Sequence, residues 1–286
     1  MADSHAVLLV HCRDKKGILS AVTSFLSEHQ GNIVDLDEHV EKEDGTFLMR
    51  AQWELESFNI QKEEIAEVFE KEVAGQYDMS WQLHFLDKKP RMAIFVSRDS
   101  HCLYDILSRY YSGEWNIEIS GIFSNHTMHE QVAERYNLPF FHYSINQANK
   151  VEIEKQQLAD LAATQTDFLV LARYMQILSD DFIAHYPNRV INIHHSFLPA
   201  FAGAKPYHRA HERGVKIIGA TSHYVTADLD AGPIIEQDIV RVTHKDSVSD
   251  LVRKGKDLEK IVLSRAIWNH LQRKVLVYGN KTVVFD

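Results

Sequence analysis

Apolar and polar residues in the first 87 positions follow two periods, and each period indicates a type of element. Apolar residues that alternate or run together predict strands, whereas apolar residues three and four positions apart predict helices. The predicted elements are a strand at 6–12, a helix at 17–29, strands at 32–40 and 46–55, a helix at 61–73 and a strand at 79–86. The sequence therefore predicts a small ferredoxin-like α+β unit, with a polar hairpin turn at 41–45 in which Gly45 has a positive φ.

The pattern changes after Pro90, where strands and helices begin to alternate. Predicted strands lie at 92–96, 117–123, 140–143, 168–171 and 189–194, with helical spacing between most of them. Such alternation is typical of a mostly parallel sheet that has helices on both faces. The short charged segment that ends at Pro90 marks the boundary. We therefore predict one domain at 1–88 and a second, Rossmann-like α/β domain at 89–286.

Polar side chains occur where the apolar strand at 189–194 ends. Asn192 and His194 are two positions apart, so their side chains point to the same face of an extended strand. Ligands of open α/β sheets bind at the carboxyl ends of the strands. Taken with the segment 223–230, the stretch 192–201 predicts a site for polar chemistry that contains an amide, an imidazole, a hydroxyl and a carboxylate.

The same stretch allows other interpretations. Adjacent histidines at 194 and 195, in a chain with 17 histidines, are compatible with zinc, although no CxxC or HExxH spacing accompanies them. Ser196, His194 and Asp230 would make a serine-hydrolase triad, but the glycine-flanked serine of that class is missing. The segment 96–102 contains no glycine, which argues against a dinucleotide or phosphate loop. We therefore predict no metal and no tightly bound cofactor.

Charge and composition limit the partners. The 286 residues carry a formal net charge of −9, which provides no broad basic field for nucleic acid or an anionic membrane. The first residues lack the basic and apolar regions of a signal peptide, and no apolar run has the length of a membrane span. With Cys12 and Cys102 as two free thiols, these observations predict a cytoplasmic protein.

Two short segments of the first predicted unit have recognisable sequence motifs. Residues 13–19, Arg-Asp-Lys-Lys-Gly-Ile-Leu, open the first helix, and residues 31–34, Gly-Asn-Ile-Val, open the second strand. With the order βαββαβ, they resemble the ACT domain family. The resemblance implies a regulatory unit that pairs edge to edge in a homo-oligomer and binds a small amino acid as effector. The implied effector-binding residues are Asp14, Gly17, Asn32 and Ile33. A unit of this shape that serves only to dimerise is the alternative.

Three segments of the second predicted domain are more specific. They read Asn-x-His-x-Ser-x-Leu-Pro at 192–199, Gly-Ala-Thr-Ser-His-Tyr-Val at 219–225 and Leu-Asp-Ala-Gly-Pro-Ile-Ile at 229–235. These segments resemble the formyltransferase family that uses 10-formyltetrahydrofolate as substrate. The resemblance implies a catalytic set of Asn192, His194 and Asp230. It also implies that a folate pocket is lined by Arg173, Tyr174, Met175, Gln176, Ile177 and Leu178. Gln176 departs from the arginine that many members have.

Within that family, three features are similar to the formyltetrahydrofolate deformylases. They are the ACT-like unit, His-His-Ser-Phe-Leu-Pro at 194–199 and Gly-Ala-Lys-Pro-Tyr-His at 203–208. The similarity implies hydrolysis of 10-formyltetrahydrofolate to formate and tetrahydrofolate, which links one-carbon and purine metabolism. The alternative is a transferase that passes the formyl group to an amine acceptor. A catalytically dead amino-acid sensor that merely binds folate is disfavoured, because all three residues of the catalytic set are present.

The same residues suit the hydrolysis of a formamide. Asn192 can donate its amide N–H to the developing oxyanion, and one such donor is typically worth ~3 to 4 kcal/mol. His194, as an imidazolium, can stabilise that oxyanion and pass a proton to the departing nitrogen, while Asp230 can take a proton from water. We assign His223 to orienting these groups and Ser196 to holding the loop that follows His194.

Overall fold

The computed structural model describes residues 5–199 and 206–286. The chain divides into two compact units, one made of residues 1–88 with 269–286 and the other of residues 89–268. The first is a small α+β unit, and the second is an α/β unit with a mostly parallel sheet. Both fold classes agree with the prediction from the hydrophobic pattern.

The first unit has the predicted order βαββαβ. Its strands are β1 (His5–Arg13), β2 (Asn32–Glu41), β3 (Thr46–Glu54) and β4 (Ser80–Phe85). Its helices are α1 (Ile18–Glu28), α2 (Ile65–Phe69) and α3 (Gly75–Tyr77), with the π-helical turn Glu70–Ala74 between the last two. The strands form an antiparallel sheet of order β2-β3-β1-β4. The second helical segment begins at Ile65 rather than at 61, because the carbonyl of Gln61 accepts from both Glu64 and Ile65 in a preceding turn.

Apolar spacing explains how α1 packs on this sheet. Ile18, Val22, Phe25 and Leu26 are buried on one face of the helix, at the three- and four-residue intervals that predicted it. Gly17 precedes the helix with a φ of 97°, in the left-handed region that favours glycine. Gly45 has a φ of 68° in the β2–β3 hairpin, which confirms the prediction for that turn.

The second unit alternates strands and helices. Its strands are β5 (Arg91–Val96), β6 (Glu118–Ser124), β7 (Phe140–His142), β8 (Phe168–Leu171), β9 (Val190–His194), β10 (Ile217–Tyr224) and β11 (Ile234–Arg241). Its helices are α4 (His101–Tyr111), α5 (Glu130–Arg135), α6 (Lys150–Ala163), α7 (Asp180–Ala184), α8 (Pro206–Arg213) and α9 (Val248–Leu271), with a 3-10 turn at Thr127–His129. None of the described helices combines the length and the hydropathy needed to cross a membrane.

The sheet of the second unit has the order β11-β10-β9-β8-β5-β6-β7. From β9 to β7 the strands are parallel, and most of their residues are apolar and buried, as is typical of a sheet that has helices on both faces. In contrast, β10 runs antiparallel to both β9 and β11. This reversal sets Asn192 opposite His223, and His194 opposite Thr221. Residues far apart in the chain therefore meet at the end of β9.

The C-terminal residues belong to the first unit. The strands β12 (Val275–Tyr278) and β13 (Lys281–Val284) form a hairpin. Leu276 and Phe285 are buried in one cluster with Val7, Leu9 and Leu48, on the face of the first sheet that α1 leaves uncovered. The predicted second domain, 89–286, therefore differs from the structure at its C-terminal end. The period of a short hairpin does not show which sheet it covers.

Candidate active site

The predicted catalytic residues line one cavity in the second unit. This cavity measures about 290 Å³, at the lower end of the roughly 300–1,000 Å³ typical of small-molecule sites. Asn192 and His194 face it from β9, His223 from β10 and Asp230 from the loop before β11. The rest of the lining is mainly apolar and includes Leu171, Tyr174, Met175, Ile177, Leu178, Ile183, Val225 and Leu229. The arrangement places polar groups of several kinds at the end of an apolar cleft.

His194 and Asp230 form an acid–base pair. The Nδ1 atom of His194 lies 3.2 Å from Oδ1 of Asp230, and the imidazole is almost fully buried. The hydrogen bond from His194 is the main cause that lowers the pKa of Asp230, so this residue is a carboxylate at neutral pH. The Nε2 atom of His194 is buried and has no hydrogen-bond partner among the described residues. No described protein group therefore competes for a proton at this atom.

His223 orients the amide of Asn192. Its Nδ1 atom lies 2.9 Å from the carbonyl oxygen of Tyr224, and a carbonyl accepts, so Nδ1 carries the proton. Burial lowers the pKa of His223, which keeps the ring neutral. Its Nε2 atom is then an acceptor, 3.2 Å from Nδ2 of Asn192. One amide hydrogen of Asn192 is held in this way, and the second is available to an oxyanion.

The Asp-Ala-Gly-Pro sequence shapes the loop that carries the carboxylate. Asp230 has a φ of 55°, in the left-handed region. A Cβ on Gly232 would overlap the carbonyl oxygen of Tyr224, so the backbone reaches its position only with glycine there. The N–H of Tyr224 donates to the carbonyl of Pro233 at 2.9 Å, which ties this loop to the end of β10. The motif is therefore explained by close approach of two backbones.

Ser196 does not line the cavity. Its hydroxyl is buried and has no hydrogen-bond partner in the described part of the chain. Thr221 secures the same loop, because its hydroxyl donates to the carbonyl of Ser196 at 2.9 Å and accepts from the N–H of Leu198 at 3.0 Å. Lys205, in the segment 203–208, lies outside the described residues. Among the described residues, the side chains that hold this loop include Thr221 but not Ser196, to whose hydroxyl we assigned that role.

The predicted folate segment lies at the cavity, with one difference. Five of its residues line the cleft, namely Tyr174, Met175, Gln176, Ile177 and Leu178. Arg173 is not part of the lining. It has a φ of 65°, and its guanidinium lies against His195, Asp99 and Glu259 instead. The sequence pattern could not predict that the Arg173 side chain points away from the cavity, because the direction of a side chain in a loop depends on the backbone angles there.

A buried group of charged residues therefore lies behind the cavity. Most of this group was not predicted from the sequence. Glu259 on α9 is 1% exposed and accepts from Tyr207 at 2.7 Å, while His101 lies 2.8 Å from its other oxygen. Burial raises the pKa of Glu259, but the hydrogen bond from His101 and the nearby Arg173 outweigh burial and lower it. The signal available in the sequence was a single glutamate in a long helix, which is typical of a solvated face.

His101, Cys102 and Glu259 are also the one group among the described residues with the spacing of a metal site. The contacts argue against a cation there. Both oxygens of Glu259 are already engaged, and the Nε atom of Arg173 lies 3.4 Å from one of them. Burial raises the pKa of the Cys102 thiol well above its ordinary value, so the sulfur is protonated. The donors present do not fit a metal ion.

The predicted effector-binding residues do not meet within one chain. Asp14 and Gly17 follow the end of β1, which pairs with the start of β3. Asn32 and Ile33 begin β2, which pairs with the end of β3. The two pairs therefore lie at opposite ends of the sheet. Asn32 donates to the carboxylate of Glu54 at 2.7 Å.

Comparison with known proteins agrees with these two units. The formyl transferase family profile matches residues 90–267, and the ACT domain profile matches residues 6–72. The formyltetrahydrofolate deformylase of Synechocystis sp. is 51% identical over 285 residues, which covers 100% of both chains.

The chain belongs to the formyltetrahydrofolate deformylase family. The Bacillus subtilis member is 47% identical over 280 residues, covering 98% of this chain and 93% of that protein. In the crystal structure of the Pseudomonas syringae pv. tomato member, the fold agrees with a TM-score of 0.96 at 42% identity, covering 100% of this chain and 96% of that one. Family membership thus extends over both units, and the ACT-like unit is part of the similarity.

Proposed function

We propose that this protein hydrolyses the formamide bond of 10-formyltetrahydrofolate, releasing formate and tetrahydrofolate. The observation that carries the proposal is the His194–Asp230 pair beside the amide of Asn192, at the polar end of an apolar cleft. The similarity to deformylases along the whole chain favours water over an amine as the acceptor of the formyl group. The enzyme is accordingly a hydrolase that acts on a linear amide.

The geometry supports a direct attack by water. Asp230, a carboxylate at neutral pH, takes a proton from water while the water oxygen bonds to the formyl carbon. The oxyanion that forms is held by the free amide hydrogen of Asn192 and by protonated His194. The C–N bond then breaks, and Nε2 of His194 gives its proton to the departing nitrogen. Asp230 then gives its proton to solvent and Nε2 of His194 takes one from solvent, and the formic acid released ionises to formate.

The cleft suits a reduced pterin ring. Leu171, Ile183 and Val225 provide apolar walls, and Gln176 adds an amide on the lining. Met175 and Ile177 are 54% and 61% exposed, although both are large and apolar. We propose that this pair contacts the aromatic ring that links the pterin to the glutamate of folate. The substrate would then lie along the segment 174–178 with its formyl group at His194.

We also propose that the ACT-like unit binds a small amino acid between two copies of the chain. Support comes from the positions of Asp14 and Gly17 at one end of the sheet and of Asn32 and Ile33 at the other, because these residues can meet only in an oligomer. Cys12 and Cys102 are buried free thiols, which is consistent with our proposal of a cytoplasmic enzyme.

The test is a formate assay with no amine acceptor. The purified protein should release formate from 10-formyltetrahydrofolate, and Asp230→Asn should lower the rate by roughly 10² or more while tetrahydrofolate binding is retained. The matched control is Asp228→Asn, which removes an exposed carboxylate from the same loop and should leave the rate unchanged. Formate release that requires an added amine, or that survives Asp230→Asn, would overturn the assignment.

A further inference from the structure

His195 adjoins the proposed catalytic pair without a role in the mechanism above. Its ring lies nearly parallel to that of His194, with an interplanar angle of 21° and centroids 5.0 Å apart, and it lines the same cavity. The Nη1 atom of Arg173 lies 2.7 Å from its Nδ1 atom. An arginine can only donate, so Nδ1 of His195 is an acceptor and bears no proton.

The tautomer of His195 follows from this contact. Burial and the adjacent Arg173 lower the pKa of His195 to about 4, so the ring is neutral at physiological pH. A neutral imidazole has one N–H, and with Nδ1 occupied by Arg173 that hydrogen is on Nε2. In the described part of the chain, Nε2 of His195 has no hydrogen-bond partner. The cavity beside His194 is therefore bordered by a fixed N–H donor.

Several contacts hold Arg173 in the position that fixes this tautomer. Its Nε atom lies 3.4 Å from Glu259, and its Nη2 donates to Asp99 at 3.3 Å. Tyr207 donates to Glu259 from the other side, and a Cβ at Gly255 would overlap the Tyr207 hydroxyl. Arg173 also has a left-handed backbone, which costs free energy for any residue except glycine. Strain and a buried ion pair together indicate that the placement of this guanidinium matters.

A fixed donor discriminates between water and an amine. The oxygen of water has two lone pairs, so it can accept a hydrogen bond with one while the other attacks the formyl carbon. The nitrogen of an amine has a single lone pair, which cannot accept a hydrogen bond and attack at the same time. An N–H directed at the nucleophile therefore stabilises attacking water and opposes an attacking amine. The other tautomer of histidine would present a lone pair and would have the reverse preference.

We propose that Arg173 holds His195 as the Nε2–H tautomer and that this N–H binds the attacking water, so that the formyl group is passed to water rather than to an amine. The inference rests on the proposed hydrolysis and assigns His195 as a specificity-determining residue of that site. Arg173 acts through His195 and is a positioning residue.

The test measures where the formyl group goes. Full-length protein is incubated with 10-formyltetrahydrofolate and hydroxylamine, and formate and formohydroxamate are quantified against an enzyme-free control. His195→Phe keeps a flat ring and removes the donor, so we expect formate release to fall at least about tenfold and the ratio of formohydroxamate to formate to rise by a similar factor. His195→Gln restores an N–H donor, so it should recover part of the formate release, and of the product ratio, that His195→Phe loses.

The pH profile separates this role from a purely structural one. The groups that face His195 are Arg173, His194, Tyr207, Asp230 and Glu259. In Arg173→Met the cation is lost and the tautomer is free, so formate release should fall near pH 8. Arg173 is one of the causes that lower the pKa of His195, and burial is the larger one. Protonation of His195 in acid restores the Nε2–H, so the rate relative to unsubstituted protein should recover progressively as the pH is lowered. Arg173→Lys retains a donor and is the matched control.

The outcomes are distinct. If the unsubstituted protein releases no formate, the proposed hydrolysis fails. If it releases formate and His195→Phe leaves both the rate and the product ratio unchanged, only the role of His195 fails. If Arg173→Met fails to fold, which a lowered melting temperature would show, the product ratios of the two His195 variants test the proposal.

Discussion

The side chains of Asn192 and His223 lie on directly paired positions of β9 and β10, and a 3.2 Å hydrogen bond joins Nδ2 to Nε2. Because the other nitrogen of His223 donates to the carbonyl of Tyr224, the histidine acts as a fixed acceptor for one amide hydrogen. The antiparallel pairing of β10 therefore determines which way the proposed oxyanion donor faces. A slip of one residue in register would turn His223 to the opposite face of the sheet.

We expect His223→Phe to lower kcat for formate release by roughly tenfold, less than the ~10² to 10³ that loss of the Asn192 donor itself would cost. The reason is that the amide remains present but is no longer oriented. The measurement is a double-mutant cycle with Asn192→Ala. Since His223 acts through Asn192, adding His223→Phe to Asn192→Ala should cost little more. Additive losses would show that His223 acts on the substrate independently.

Ser196→Ala should leave formate release within about threefold of the unsubstituted rate. The hydroxyl is buried without a described partner, so its removal also relieves a desolvation cost and should not lower the melting temperature. The same assay and a thermal melt are sufficient. Complete loss of turnover, with a formyl group trapped on the protein, would instead require a covalent mechanism.

Gly232→Ala should impair both catalysis and stability. The new methyl group would overlap the carbonyl oxygen of Tyr224, and the loop that carries Asp230 must shift to avoid it. Because a displacement of about 1 Å can cost 10²-fold in rate, we expect kcat to fall by at least about tenfold. The melting temperature should fall as well, because the overlapped atoms belong to the backbone and cannot rotate away. A normal kcat would show that the loop adapts without moving the carboxylate.

His84 makes the first unit sensitive to acid. Burial, with a smaller effect of Arg273, lowers the pKa of His84 to about 4, below its ordinary value of 6.5. Between these pH values the unfolded chain binds the proton and the folded chain does not, so the free energy of unfolding falls as pH decreases from about 6.5 to about 4. His84→Gln should reduce this loss when urea unfolding is compared at pH 7 and pH 5. If the free energy of unfolding of His84→Gln changed as much between pH 7 and pH 5 as that of the unsubstituted protein, His84 would be excluded as the cause of the acid sensitivity.

The sequence predicted the elements up to β9 and the residues of the proposed catalytic set, because those elements have clear periods and the set has specific motifs. It did not predict the reversal at β10, since a buried antiparallel strand has the same apolar composition as a parallel one. Nor did it predict the group around Glu259. Periodicity assigns a charged residue of a long helix to solvent, and only the packed structure shows that Tyr207, His101 and Arg173 surround it.

The division of the chain has a consequence for biosynthesis. Residues 5–85 contain all four strands of the first sheet, but the face with Val7, Leu9 and Leu48 is covered by Leu276 and Phe285. A ribosome must therefore synthesise the whole second unit before that apolar face can be covered. During this interval the nascent chain exposes a surface suited to chaperones or to premature association, so the first unit to emerge is the last to be completed.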